Sequence, residues 1–454
     1  MFSRILIANR GEVAVRLVRA CHELGVEAVA VFSTADRDAL HVRLADRAVH
    51  IGPPPPAESY LNIPSLVAAA TTTGCEAVHP GWGFLAENAG FATACEDNDL
   101  AFVGPRPASI EIMGDKVRAR ETVGAAGIPL VPGSDGAASL EEARSLAAEV
   151  GFPVLLKAAA GGGGRGMRLV SAPGELSGAF ATASGEAQSA FGDGSLYVEK
   201  ALVGARHVEI QVLGDGEGSV LTLGERDCSV QRRHQKLVEE APSPAVSPEL
   251  RAEMEEAARR ACEELRYRGA GTLEFLLDAD GRFYFIEMNT RLQVEHPVTE
   301  LVAGVDLAQA QLRVAAGEGL PGEGRADLRG HAIEFRINAE DPARDFLPAP
   351  GTVTRFRPPL GPGVRVDTHI VDGASVPPFY DSLLAKVIVW ASDRPGALGR
   401  ARRALSEFQL EGVPTTHGLA VDIVESEEFL SGRYTTGFLA EAASRLPALS
   451  GEAA

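Results

Sequence analysis

Glu287-Met288-Asn289-Thr290-Arg291-Leu292-Gln293-Val294-Glu295-His296-Pro297 is the stretch on which the reading of this chain turns. In extended backbone successive side chains alternate between faces, so Glu287, Asn289, Arg291, Gln293 and Glu295 share one face. Five consecutive positions on that face are polar or charged, directly after the apolar run Phe283-Tyr284-Phe285-Ile286. A solvated strand edge is the plain alternative. It leaves unexplained why acid, amide and base collect where a strand leaves its sheet, with few turn formers among them.

The preceding segment sharpens the question. Thr272-Leu273-Glu274-Phe275-Leu276-Leu277 runs into Asp278-Ala279-Asp280-Gly281, and Asp-Gly between apolar runs predicts a hairpin. A two-residue Asp280-Gly281 turn pairs Ala279 with Arg282 and carries the register to Glu274 opposite Glu287. Like charges facing each other across strands destabilise a sheet. A divalent cation between them removes the conflict, and Asn289 can add an oxygen from the same face. Such hard ligands suit magnesium, which binds through one or two carboxylates plus substrate phosphates.

At 454 residues the chain should form about three domains. Its 45% hydrophobic and 23% charged content is that of an ordinary globular protein. A net charge of -19 argues against a general nucleic-acid-binding surface. An acidic nucleotide can still bind where positive charge is concentrated locally. The five cysteines form no close pair and no zinc spacing, as expected of structural thiols in a reducing cytosol. The N-terminal segment Phe2–Arg10 is too briefly apolar for a signal peptide, and no apolar run reaches membrane-spanning length. A cytoplasmic protein without a membrane partner is expected.

Along the chain, Ile5–Ala8 predicts a buried strand, followed by a helix near Gly11–Leu24 that Gly25 caps and a second strand at Val26–Phe32. Asn9-Arg10-Gly11-Glu12 lacks the glycine spacing of a dinucleotide site. Strands at Ala77–His79 and Ala101–Val103 complete an α/β domain, 1–113. A second domain, 114–330, holds a capping box at Ser139–Glu142, a strand at Phe152–Lys157 and a glycine loop, Ala160–Gly166. Strands at Met167–Val170, Leu196–Lys200 and Arg206–Val212 are read as one continuing sheet. A helix begins at Ser247-Pro248, and another lies near Asp306–Ala316. A third, mixed domain, 331–445, follows a Gly-rich linker, with strands at Ile333–Ile337 and Leu384–Trp390.

Gly161-x-Gly163-x-x-Gly166 formally matches a dinucleotide fingerprint, but a β-like run follows it where a helix is required. No Walker sequence is present. A glycine-rich turn between two strands suits a flap whose backbone N–H groups close over phosphates, or else a plain surface hairpin. Lys116 and Lys157 are candidate phosphate cations beside it, and Glu199-Lys200 a candidate adenine contact. Gln231-Arg232-Arg233-His234-Gln235-Lys236 is either a solvated charge run or an anion site. Arg336 either pairs with Glu334 on its own strand face or serves the third domain as a free cation.

Taken together, these residues resemble biotin carboxylase, the ATP-grasp component of biotin-dependent acyl-CoA carboxylases. The likeness runs from Ile5 to about Phe438. It rests on Ile7–Glu12, His79–Phe84, Gly161–Met167, Glu225–Lys236 and Glu287–Thr299. Departures are Trp82 where the family has Tyr, Ala160 opening the glycine run, and an extra residue near Ala343-Arg344-Asp345.

The resemblance implies an ATP-grasp fold: a Rossmann-like α/β N-terminal domain, a mobile glycine-rich lid at about 131–203, and a mixed C-terminal domain. It implies that Lys116, Lys157, Gly163, Gly164, Glu199, Lys200, Leu202, His207 and His234 hold ATP, together with Glu274 and Glu287. Glu274, Glu287 and Asn289 would hold two Mg2+ or Mn2+ ions. Lys236, Arg291, Gln293 and the Val294 backbone would hold bicarbonate. Glu295 would take its proton, and Arg336 would stabilise the biotin enolate. The implied reaction proceeds through carboxyphosphate to carboxybiotin, as the first half-reaction of an acyl-CoA carboxylase, with acetyl-CoA the expected acceptor. Arg19 and Glu23 match positions of a homodimer interface. The sequence holds no Met-Lys biotin-attachment tract, so the biotin carboxyl carrier protein and the carboxyltransferase are expected on separate chains. Two competitors remain: another ATP-grasp carboxylate ligase, and a silent carboxylase subunit that binds nucleotide without catalysis.

Overall fold

A computed structural model describes residues 1–134, 138–159 and 167–450. Its first layer grows from the short apolar run at Ile5–Ile7. Arg4–Ile7 is central in a five-stranded parallel sheet, flanked by Glu27–Ser33 and Ala77–His79, with Arg47–Gly52 and Ala101–Phe102 at the edges. Ile5, Leu6 and Ile7 are fully buried, as strands covered on both faces should be. The crossover helix Gly11–Glu23 ends at Gly25, whose φ of +71° suits glycine alone without strain. Asn9-Arg10-Gly11-Glu12 is a set of staples. Asn9 Nδ2 donates to Pro80 O and Trp82 O at 2.6 and 2.7 Å, and Arg10 pairs with buried Asp36.

The body is an eight-stranded antiparallel sheet. Its order is Phe283–Asn289, Arg268–Leu277, Arg206–Asp215, Val220–Arg232, Gln235–Ala241, His331–Asn338, Leu383–Ala391 and Val364–Thr368. Three strands of the 331–445 region, His331–Asn338, Leu383–Ala391 and Val364–Thr368, therefore continue the central sheet across the Gln235–Ala241/His331–Asn338 seam, while its shorter strands pair off in two-stranded sheets. Val220–Arg232 is buried along almost its whole length, so it needs internal partners for its charges. Arg226, fully buried, finds Glu209, Gln211 and Thr299 at 2.6 to 2.9 Å, and Glu225 accepts from Arg251.

One strand assignment is corrected. Arg206–Val212 does not continue the sheet of Met167–Val170 and Leu196–Lys200, because it lies in the eight-stranded sheet between Arg268–Leu277 and Val220–Arg232. Leu196–Lys200 pairs with Val154–Ala158, which also carries Arg168–Val170, in a separate three-stranded sheet. Helices Leu140–Val150 and Leu176–Phe191 flank this sheet over a small core of Val154, Leu156, Val170 and Val198. The capping box at Ser139–Glu142 is formed as its sequence spacing requires. The loop carrying Gly163 and Gly164 lies outside the described residues. All five cysteines are free and buried. No helix among the described residues is long and apolar enough to cross a membrane.

Glu240 ties the sheet to the C-terminal helices. It accepts from His331 Nε2 at 2.5 Å, from Arg394 Nε and Nη2 at 2.7 and 3.0 Å, and from the Tyr434 hydroxyl. Burial would raise its pKa, yet His331 and Arg394 outweigh that and bring it down to about 2. A depressed carboxylate stabilises the fold above its unfolded pKa of about 4.3 and loses that contribution as pH falls towards its folded value. Glu240→Gln should therefore cost about 3 kcal/mol at pH 7. Urea midpoints measured between pH 7 and pH 3 should show the penalty shrinking as pH drops.

Candidate active site

Glu274 stands directly opposite Glu287, as the hairpin reading requires, but by a different route. The turn is one residue longer than expected, because Asp278 N donates to Arg282 O and closes a three-residue loop. A bulge then offsets the shift: Phe275 pairs with Phe285 and Glu274 with Glu287, leaving Ile286 as the extra residue. The extended reading is also corrected beyond Asn289, where the strand ends. Arg291 to Glu295 form a loop leading into the helix His296–Ala303. The alternating side chains still converge, held by one another in place of a pleat. Arg291 donates from Nη2 to Asn289 Oδ1 at 2.9 Å and from Nη1 to Gln293 Oε1 at 2.8 Å. Asn289 and Gln293 both donate to Glu274 Oε1, at 2.8 and 3.3 Å.

The hub is Lys236. Its ammonium lies 2.6 Å from Glu209, 2.7 Å from Glu274 and 2.7 Å from Glu295. Burial alone would lower the lysine pKa, but the three carboxylates hold it well above its usual value. In return Lys236 is the strongest influence keeping Glu295 and Glu274 ionised against their own burial. Two groups of potential ligand atoms close within 4.8 Å here, His207/Glu209/Glu274 and Glu209/Cys228/Glu295. Lys236 is the cation both groups already hold.

Glu295, fully buried, offers its second oxygen to Arg336 Nη2 at 2.9 Å. Arg336 Nε donates to Glu239 Oε1 at 2.6 Å, so the pairing with Glu334 is replaced by a Glu239–Arg336–Glu295 bridge. Glu334 sits across the strand pair from Glu239 with both oxygens unbonded among the described residues, and burial raises its pKa well above the usual carboxylate value. Glu239 is raised to about 7 by burial despite Arg336.

A second group of cationic side chains gathers near the Glu274–Glu287 pair. Lys157 pairs with Glu199, which also accepts from Arg120 at 2.5 Å. Lys116, at the start of the helix Lys116–Ala125, is lowered by burial, with Glu287 opposing that and Lys157 adding to it. His207 Nε2 lies 2.9 Å from Glu274. His234 is lowered by burial and by Lys157 and His207. It sits in a two-residue hairpin in which both Arg233 and His234 adopt positive φ, 47° and 65°. Neither is glycine, although the turn type requires positive φ at both positions. Leu202 is half-buried beyond the strand end. The Lys200 ammonium is turned elsewhere, onto Gly151 O and Phe152 O at 2.8 and 3.1 Å.

The Glu274–Glu287 pair suits a divalent cation. The Glu287 carboxylate makes no hydrogen bond among the described residues, and burial and Glu274 raise its pKa. Glu274 is engaged by Lys236, His207, Asn289 and Gln293, so metal binding must displace some of these. Asn289 points its nitrogen at Glu274 and its oxygen at Arg291, so ligation by that oxygen requires the amide to turn.

Four further residues belong to the site. Glu209 could have been found from the alternation His207, Glu209, Gln211 along one strand. Glu87 holds Arg291 Nε at 2.8 Å and Thr290 N at 2.9 Å from more than two hundred residues away. Glu239 and Lys386 reach the site through sheet register, which no local signal announces.

The large antiparallel sheet, the separate small sheet and the cations between them have the arrangement of an ATP-grasp ligase. Family models match in three consecutive blocks. They are Biotin carboxylase, N-terminal domain, at residues 1–110; Carbamoyl-phosphate synthase L chain, ATP binding domain, at 115–323; and Biotin carboxylase C-terminal domain at 334–441. A biotin carboxylase of Nostoc is 55% identical over 97% of this chain and 99% of its own. A solved biotin carboxylase-beta-gamma-ATP complex from Campylobacter jejuni superposes with a TM-score of 0.94 at 47% identity, covering 97% and 99% of the two chains. The biotin carboxylase domain dimer of Hydrogenobacter thermophilus 2-oxoglutarate carboxylase, with MgADP, ADP and bicarbonate, gives 0.93 at 48%, covering 97% and 98%. The chain belongs to the biotin carboxylase family, ATP-grasp enzymes that carboxylate biotin at the expense of ATP.

Removing one charge of the facing acid pair separates structure from cation binding. Glu287→Gln should stabilise the metal-free protein by up to about 1 kcal/mol, because the like-charge opposition disappears. It should also abolish the additional thermal stabilisation given by Mg2+ with nucleotide. Melting curves with and without the cation provide the comparison.

Proposed function

We propose that the two sides of Glu274 divide the reaction. Lys116, Lys157, Glu199, Lys200, Leu202, His207 and His234, with Gly163 and Gly164, hold ATP. Glu274, Glu287 and Asn289 hold Mg2+ or Mn2+, which would neutralise phosphate charge and relieve the facing acids. Lys236, Arg291, Gln293 and the Val294 N–H hold bicarbonate. That N–H makes no hydrogen bond among the described residues, as an anion donor in waiting should not.

The observation that carries the reading is Glu295, a buried carboxylate kept ionised between Lys236 and Arg336. A general base must be ionised and in reach of its proton. Bicarbonate attacks the γ-phosphorus of ATP as its proton passes to Glu295, giving carboxyphosphate and ADP; carboxyphosphate then releases CO2 and phosphate. Neutral Glu295 no longer competes for the Arg336 guanidinium, which becomes free to meet the ureido oxygen of biotin. Burial keeps water from hydrolysing carboxyphosphate.

Biotin arrives on a separate carrier protein, and a carboxyltransferase consumes the product. Exposed Arg19 and Glu23 lie on one helix and fit a homodimer contact. Acetyl-CoA is the acceptor we assign, supported by the resemblance to acyl-CoA carboxylase subunits. The likeness to a 2-oxoglutarate carboxylase domain makes a 2-oxo acid the second reading. Reconstitution with carrier and transferase subunits of each kind should restore carboxylation of acetyl-CoA, and restoration only with the 2-oxo acid system would reverse the assignment.

ADP release with free biotin should depend on added bicarbonate; turnover indifferent to bicarbonate overturns the reading. Arg336→Ala should lower biotin carboxylation about 100-fold while leaving the Kd for MgATP in place, the loss expected on removing one donor to developing charge.

A further inference from the structure

Two consecutive peptides of the anion loop are held by their carbonyl oxygens. Gln293 O accepts from His296 Nδ1 at 2.7 Å, and Val294 O accepts from Lys386 Nζ at 2.8 Å. Both donors are completely buried, at 0% exposure. In a planar trans peptide the N–H points opposite to the carbonyl. The His296 bond to Gln293 O therefore sets the direction of the Val294 N–H. The Lys386 bond to Val294 O sets the plane from which the Glu295 side chain departs.

We propose that His296 and Lys386 are positioning residues for bicarbonate, clamping the Gln293–Val294 and Val294–Glu295 peptides so that the Val294 N–H faces the anion and the Glu295 carboxylate stays between Lys236 and Arg336. This rests on the bicarbonate reading above. The chemistry of the two donors is matched to the task. Burial drives the His296 imidazole down to about 3, against an opposing pull from Glu300, so it stays neutral and donates from Nδ1 without adding charge to the loop. Lys386 stays charged, its ammonium 3.1 Å from Glu12 Oε2 and 3.8 Å from Asp367. Glu12 accepts from Trp82 Nε1 at 3.0 Å on its other oxygen, so the clamp runs back to the first helix and the loop after Ala77–His79. Desolvating an ammonium is costly, and an apolar chain of equal length would fill the same space. The ammonium makes its one hydrogen bond with an uncharged acceptor at the loop carbonyl.

His296→Leu should raise the KM for bicarbonate about tenfold, the worth of one positioned hydrogen bond, with the KM for MgATP unchanged. His296→Asn, whose amide nitrogen takes the place of Nδ1, should restore the bicarbonate KM to within about twofold of the parent. His296→Gln, whose amide reaches the Nε2 position instead, should not. If the leucine variant fails to fold, the asparagine and glutamine pair carries the comparison. Equal behaviour of that pair, or parallel rises in both KM values, overturns the proposal. Parent turnover that ignores bicarbonate would instead defeat the bicarbonate reading itself.

Discussion

A single ammonium among three buried carboxylates sets the terms for the rest of this molecule. Lys236 faces Glu209, Glu274 and Glu295 within 2.7 Å. One positive charge cannot balance three negative ones, so each acid needs a second partner. Glu209 takes Arg226, Glu274 takes His207, and Glu295 takes Arg336. Those partners come from three further strands of the central sheet, and their placement requires its whole antiparallel order. Isolated burial of any one of these charges would cost more than its packing returns.

Much of this was legible in the sequence wherever chemistry and period coincided. Glu274 opposite Glu287 followed from an Asp-Gly turn and strand alternation, even though a longer loop and the Ile286 bulge each moved the register by one. Bulges leave little local signature, so only their cancellation kept that reading intact. The alternation through Glu287, Asn289 and Arg291 also identified the correct side chains while mistaking a loop for a strand. In the loop, Arg291 bonds to Asn289 and Gln293 do the work that a pleat would have done.

What stayed hidden depends on long-range register. Glu239 meets Arg336 because Gln235–Ala241 lies beside His331–Asn338, and Lys386 lies across from Arg336 on the next strand. Nothing within about ten residues of any of them indicates these neighbours. The same holds for Arg206–Val212, which follows Leu196–Lys200 in sequence and yet belongs to the large sheet while Leu196–Lys200 stays in the small one. Glycine-rich flap residues lie outside the described part of the chain, so the phosphate cradle rests on the sequence pattern alone.

The helix His296–Ala303 shows why the anion loop can be held so firmly. Its Glu300 accepts from Arg16 of the N-terminal helix at 3.0 Å and from Arg365 of the last sheet strand at 2.6 Å. Burial would raise the Glu300 pKa, but His296, Arg16 and Arg365 together outweigh it and bring the carboxyl down to about 2, so the tie is ionic at neutral pH. Val298 and Val302, on the same helix, pack with Ala241, Ala332 and Ile388 of the central sheet. The helix is thus fixed by two faces, an ionic one to the N-terminal helix and the last sheet strand and an apolar one to the central sheet. A loop that enters such a helix at Glu295 has a rigid downstream anchor, and Glu87 on Thr290 and Arg291 supplies the upstream one. Between the two anchors only Leu292 to Val294 have conformational freedom, and the two clamped carbonyls remove most of it. A base that must meet its proton within hydrogen-bond distance requires that kind of restraint, since small misplacements of reacting groups are expensive in rate.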